Sequence, residues 1–289
     1  MRPIHALSAL MLAGCGDPLS RVELIDHTRV LGARVEVDGA PERVSPLPGE
    51  TVHTRWFVVA PDPAATFAWS LSGCLAKPGN QPPLECLGAP LGNAASAVPL
   101  ASPPTLDFTL PAAIPGDVTR VAELGGVCES GAALEASGSC SDGAAPQAVS
   151  LDFPLAQSAP NNNPNFTSIA LDGVDWPAAT ALTTDCTQLP TVVPGSAGHA
   201  LHVALDPSSR DPLPQASAQD PKRESLLLST FITSGDVDAP WASIPSTQPN
   251  AETDVHWTAG GAGLARFFFV ARDGRGGSDF VERRACSGP

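Results

Sequence analysis

The sequence predicts an all-β protein built as two tandem β-sandwiches with long, disulfide-stapled loops. Three observations lead there. The 31 prolines and 26 glycines place 57 of 289 positions where a helix interior or a central strand is disfavoured, so a large helical protein is out of reach. Short stretches of alternating apolar and polar residues recur between Pro, Gly, Asn and Asp, which is the pattern of half-buried strands. Six of the seven cysteines sit at spacings suited to staples. With 43% hydrophobic and 16% charged residues the chain can build a core, and 289 residues suit two domains better than one.

In the first domain, residues 29–157, strands are expected over Val30 to Val37, Thr51 to Val59, Phe67 to Leu71, Leu106 to Leu110 and Val149 to Leu155. Each alternates with a period close to two. Small-residue segments between Gly73 and Pro104 and between Pro111 and Pro146 read as loops. The uncharged stretch from Leu87 to Leu106, broken by Pro90, Pro99, Pro103 and Pro104, belongs to the first of them. A short helix is expected around Gly116 to Leu124, with Asp117 near its start. Residues 158–165, Ser-Ala-Pro-Asn-Asn-Asn-Pro-Asn, are polar and aperiodic and read as the linker.

The second domain, residues 166–289, resumes with strands over Phe166 to Val174, Ala200 to Leu205, Leu226 to Thr233, Asp254 to Thr258, Leu264 to Arg272 and Ser278 to Arg283. The last two form a hairpin around Asp273-Gly274-Arg275-Gly276-Gly277, Asp-Gly being a strong turn signal. Trp56 and Trp69, with Val52, Val58, Phe67 and Leu71 beside them, are the expected core aromatics of the first domain. Trp257 beside Val255 takes that part in the second.

The N-terminus has a weakly basic start, Met1-Arg2, an apolar run from Ala6 to Ala13, and then Gly14-Cys15. This is the layout of a secretory signal and is too short to span a bilayer. Leu12-Ala13-Gly14-Cys15 resembles the lipobox of bacterial lipoproteins. That resemblance implies removal of residues 1–14, acylation of Cys15, a tether over residues 15–28 and attachment to the membrane through lipid, since two or more acyl chains anchor stably where one does not. Gly16, with no Asp at that position, points to the outer membrane, in an envelope-facing setting. The mature charge is then −15, because Arg2 is the one charged residue lost from a chain of −14.

If Cys15 carries lipid, six cysteines remain, and export permits disulfides. Locality favours Cys74 with Cys86, Cys128 with Cys140, and Cys186 with Cys286; a crossed pairing among the first four is the alternative. No C-x-x-C exists, so zinc ligation by thiols is disfavoured. Arg29 to Arg34 followed by Pro48-Gly49-Glu50-Thr51-Val52, and Val270 to Gly277 near the end, resemble the opening and closing strands of immunoglobulin-like domains in exported proteins of high-GC bacteria. The resemblance implies an immunoglobulin-like fold for both domains and carries over no catalytic residue.

Chemical motifs are sparse. His199 and His202 are three apart on an expected strand, where they face opposite sides and cannot share a metal. Asp236 and Asp238 form an acidic turn without the spaced ligands of an EF-hand, and Asp273 and Asp279 flank the hairpin turn. Gly195-Ser196-Ala197-Gly198-His199 reads as a turn, and no nucleophile elbow, P-loop or H-E-x-x-H occurs. Thirty acidic against sixteen basic residues, with no basic run beyond Arg283-Arg284, exclude unassisted nucleic-acid binding. The expectation is therefore a lipid-anchored envelope protein that binds or supports and does not catalyse, without cofactor or metal. Its partners would be the membrane and envelope proteins or polysaccharide. The alternatives are an accessory or hydrolytic enzyme with an acidic site, and a calcium-dependent adhesive module.

Overall fold

The computed structural model describes residues 21–77, 84–156, 161–178, 184–195, 198–213 and 223–288. The first seven strands are β1 (Arg29–Val37), β2 (Thr51–Val59), β3 (Phe67–Ala76), β4 (Cys86–Leu100), β5 (Thr105–Thr109), β6 (Arg120–Val127) and β7 (Gln147–Pro154). They form a three-stranded sheet in the order β1-β2-β5 and a four-stranded sheet in the order β4-β3-β6-β7. Both sheets turn apolar faces onto one core that includes Val35, Val52, Trp56, Trp69, Leu71, Phe108, Val121 and Phe153. This three-plus-four pairing is an immunoglobulin-like β-sandwich.

Ten further strands follow: β8 (Phe166–Leu171), β9 (Val174–Asp175), β10 (Thr191–Val192), β11 (His199–Leu205), β12 (Leu226–Ile232), β13 (Asp236–Val237), β14 (Trp241–Ile244), β15 (Ala251–Thr258), β16 (Gly263–Arg272) and β17 (Ser278–Ser287). They make two five-stranded sheets, β10-β17-β16-β12-β14 and β13-β15-β11-β8-β9. Their common core holds Trp176, Leu201, Val203, Trp257, Phe267 and Phe269. The hairpin expected around residues 273–277 joins β16 to β17 in continuous register from Gly263 opposite Ser287 to Arg272 opposite Ser278. All three disulfides form in the local pairing, Cys74–Cys86, Cys128–Cys140 and Cys186–Cys286, with Cα separations of 5.6, 5.7 and 5.6 Å.

Three expectations need correction. Residues 116–124 form no helix: from Arg120 they enter β6, held between β3 and β7 in the middle of the sheet, where Val121 and Glu123 point inward. From Val121 to Leu124 the backbone is paired with a strand on each side, which outweighs a weak helical pattern. The stretch read as loop after Leu87 contains β4, fifteen residues long. An edge strand bonds on one side only, so Pro90 and Pro99 are tolerated there. Finally, β16 does not alternate between core and solvent: Ala265 to Ala271 are buried without a break. Odd residues enter the second core, while Phe268 and Val270 face the first sandwich. Such a run reads as a strand buried on both faces.

Candidate functional site

The two sandwiches meet over a joint apolar cluster of Ile25, Leu31, Val59, Phe268 and Val270, with Phe57, Phe231 and Phe280 packed around it. Phe57 stacks on Phe280 with ring centroids 4.1 Å apart and meets Phe268 edge-on at 5.8 Å. A bulge makes this contact possible. Between Val30 and Gly32 the β1–β2 register shifts, and Gly32 takes φ +153°, which a side chain would resist. Leu31 therefore faces the second sandwich while Ala33 and Val35 face the first core.

Beside the apolar cluster, polar side chains cover the free edge of β1. Arg272 Nη2 donates to the Leu31 carbonyl, Ser278 Oγ to the Ala33 carbonyl, and Asn163 Nδ2 to the Val35 carbonyl at 2.6 Å. Three alternate carbonyls that would otherwise template strand addition are thus each capped from across the junction. Arg34 bridges to Asp279 at 3.0 Å, and Arg266 joins Glu282 at 2.9 Å while donating to the Ala60 carbonyl at 2.7 Å.

Residues 161–165, read from sequence as linker, form the centre of this network. Asn161 and Asn163 are fully buried. Asn161 Nδ2 donates to Asp273 Oδ2 at 2.8 Å, and Asn162 donates to Asp211 through its backbone N–H at 2.6 Å and its Nδ2 at 3.0 Å. Asp273 also accepts from the backbone N–H groups of Arg275 and Gly277, at 2.7 and 2.9 Å. Glycine is required at 277, because a Cβ there would stand 2.2 Å from Asp273 Oδ2 and 2.8 Å from the Asn162 carbonyl. Burial raises the Asp273 carboxyl above its usual range against these bonds. Glu224, paired with Arg275, is pushed up to about 7, first by burial and then by the negative charges of Asp273 and Asp211.

A cleft of about 420 Å³ opens between β1, β7 and the β16–β17 turn. Its walls include Val30, Trp56, Val149, Leu151, Arg272 and Ser278. Trp56 also donates its indole N–H inward, to Glu123 Oε1. Glu123 is wholly buried, its Oε2 has no hydrogen-bond partner, and burial raises its carboxyl to about 7.

The residues singled out from sequence lie elsewhere or have other partners. His199 and His202 bond to different carboxylates, Asp172 at 2.7 Å and Asp254 at 2.8 Å, and share no site. Asp236 pairs with Arg21 at 2.7 Å and Asp238 with His256 at 3.0 Å, so neither carboxylate of the acidic turn lacks a partner. Among the described residues no group of three His, Cys, Asp or Glu is arranged to hold a metal ion. Asp273 and Asp279 are in the junction. Cys15 and the lipobox, residues 158–160 of the linker, and Ser196 lie outside the described residues. The described part of the expected tether is docked: Ile25 is buried, and residues 23 and 25 exchange backbone bonds with Ile232 at 2.9 and 2.7 Å. Sequence reasoning missed Arg34, Asn161 to Asn163, Asp211, Glu224 and Arg272. The unbroken Phe267-Phe268-Phe269-Val270-Ala271 run was the available signal, since it requires a second partner for its outer face.

No protein-family profile and no curated protein matches the chain. Among solved structures it is similar to the D00–D0 domain of intimin at 9% identity and TM-score 0.27, covering 89% of this chain and all of that one. It is also similar to the Yersinia pseudotuberculosis adhesin InvE, at 11% identity and TM-score 0.23 over 90% of this chain and 60% of that one. Dimeric latent PorU from Porphyromonas gingivalis scores 0.23 at 11% identity, over 89% of this chain and 24% of that one. Scores this low establish no shared function, and the fold assignment rests on the strand pairing itself.

Proposed function

We propose that this is an exported bacterial protein, anchored to the cell envelope by lipid on Cys15, whose two sandwiches form one body for binding or support and not for catalysis. The observation that carries the reading is the use of cysteine. Six of seven thiols are consumed in three disulfides, which belong to an oxidising compartment, and the seventh stands at the end of the lipobox-like Leu12-Ala13-Gly14-Cys15. A body role is supported by the junction, where buried acids are engaged by backbone N–H groups and arginines as struts. That engagement weighs against a hydrolytic reading of Asp211, Glu224 and Asp273, which are nearly inaccessible to a substrate. The outer membrane is the favoured address, from Gly16 after the acylated position.

The test is Cys15→Ser expressed in a Gram-negative host, with palmitate labelling and membrane fractionation. The wild-type chain is expected to take up label and partition with membranes, and the variant to lose both. A variant that remains membrane-bound, or a wild-type chain without label, overturns the anchor.

A further inference from the structure

We propose that the cleft between β1, β7 and the β16–β17 turn binds a small amphipathic carboxylate, with its anionic head on Arg272 and its apolar body along Trp56, Val149 and Leu151. The inference extends the binding half of the reading above and does not depend on the lipid anchor.

Arg272 is the starting point because its charge is unmatched. Its Nη1 donates to Ser229 Oγ at 3.0 Å and its Nη2 to the Leu31 carbonyl, both neutral acceptors. A guanidinium carries five N–H donors, so three remain without a protein partner among the described residues. The other arginines of the junction differ. Arg34, Arg266, Arg275 and Arg284 each have a carboxylate within ion-pair distance, at Asp279, Glu282, Glu224 and Glu282 respectively, and Arg55 is spent over the Phe280 ring at 4.9 Å. In a chain with 30 acidic residues, one junction arginine facing a cleft without a carboxylate leaves a place for an external one. Burial lowers its pKa with no opposing negative charge, so the site offers a partly desolvated cation.

The shape of the cleft narrows the ligand class. About 420 Å³ lies within the range of small-molecule sites. Val30, Leu31, Trp56, Val149 and Leu151 give the cleft an apolar part beside polar Gln147, Ser150 and Ser278, and its lining contributes no second cation. One positive charge matches one negative charge. A phosphate monoester would bring two, close to the buried Asp273, whereas a carboxylate fits the planar fork of a single guanidinium.

The probes are octanoate, 1-octanol and octylammonium, titrated into the full-length mature protein and followed by tryptophan fluorescence and by the indole N–H resonance of Trp56. Octanoate is expected to bind saturably and at least about tenfold more tightly than octanol, with no saturable binding of octylammonium. Arg272→Gln should weaken octanoate by about tenfold or more and Arg272→Lys by less. Because Arg272 also holds the edge of β1, a second variant is needed. Leu151→Trp enlarges a half-buried side chain on the same face of β7 as Val149, fills the cleft without touching the bonds of Arg272, and should abolish binding. Equal affinity for octanol and octanoate, unchanged binding in Arg272→Gln or Leu151→Trp, or the absence of saturable binding by octanoate would each overturn the proposal. Membrane release of Cys15→Ser is unaffected by any of these outcomes, so the two readings fail separately.

Discussion

The first sandwich buries a carboxyl group, Glu123, against the core residue Trp56, whereas the core of the second is built around Trp176, Trp257, Phe267 and Phe269. Phe267 meets both indoles edge-on, with centroids at 4.9 and 4.7 Å. The same sandwiches differ in their covalent restraint. Two short staples, each spanning twelve residues, pin loops onto the outer face of β3 in the first, through Cys74 and through Cys128 beside Ala68. One staple spanning a hundred residues ties the last strand of the second to the segment before β10. The first sandwich thus has a core sensitive to protons and loops fixed locally; the second has a dry aromatic core and a long-range tie. One chain can build one architecture from two different sources of stability.

The largest expected effect would erase the covalent half of that difference. Replacing Cys186 and Cys286 together by serine releases a hundred-residue loop and should cost about 4–5 kcal/mol, while removing either twelve-residue staple should cost about 3 kcal/mol. Urea unfolding of the three double variants measures this directly. Equal losses in all three would show that native packing, and not the restraint on the unfolded chain, sets the value of these bonds.

The next effect concerns protons. Glu123 titrates at about 7 when folded, against 4.5 in the unfolded chain, because burial disfavours its charged form. The unfolded state therefore releases its proton first. Stability from this group is greatest below pH 4.5, falls between 4.5 and 7, and is level above 7, a loss of about 3 kcal/mol over the window. The polar neighbours that oppose the rise are Trp56 and Thr54, and no charged group adds to it. Glu224 at the junction acts in the same direction, so the informative quantity is the difference between wild type and Glu123→Gln. Urea midpoints at pH 5 and pH 8 should fall less in the variant; parallel falls would remove Glu123 from the account.

The smallest effect tests whether the sandwiches act as one body. Ser278→Ala removes the donor that caps the Ala33 carbonyl and should cost about 1 kcal/mol, with the loss shared by both sandwiches in thermal unfolding. A loss confined to one transition would show that the junction does not couple them.

Much of the architecture was readable from sequence because it rests on local patterns. Alternation marked β1, β2 and β5, Asp-Gly marked the last hairpin, and twelve-residue spacing marked two disulfides. The junction was not readable, because its residues acquire their roles from distant partners, from 43 positions away for Arg272 and Ser229 to 245 for Ser278 and Ala33. Asn161 and Asn163 have the composition of a linker until Asp273 and Val35 supply what they bond to. Glu123 follows an alternating Val121, and its inward direction emerges once β6 is recognised as a strand. Arg272 ends an apolar run in the manner of a surface boundary, although its guanidinium lies against Leu31 and Ser229.

The docking of residues 21–25 has a mechanical meaning. Leu24 runs parallel to Ile232 in β12, and Arg21 is clamped to Asp236 and to the Gly235 carbonyl. A pull arriving from a lipid-bearing Cys15 would therefore load the second sandwich in shear before it reached β1. The first sandwich, although nearer to the proposed anchor along the chain, would be the shielded one, hanging from its neighbour through the edge of β1 and the stacked rings of Phe57 and Phe280.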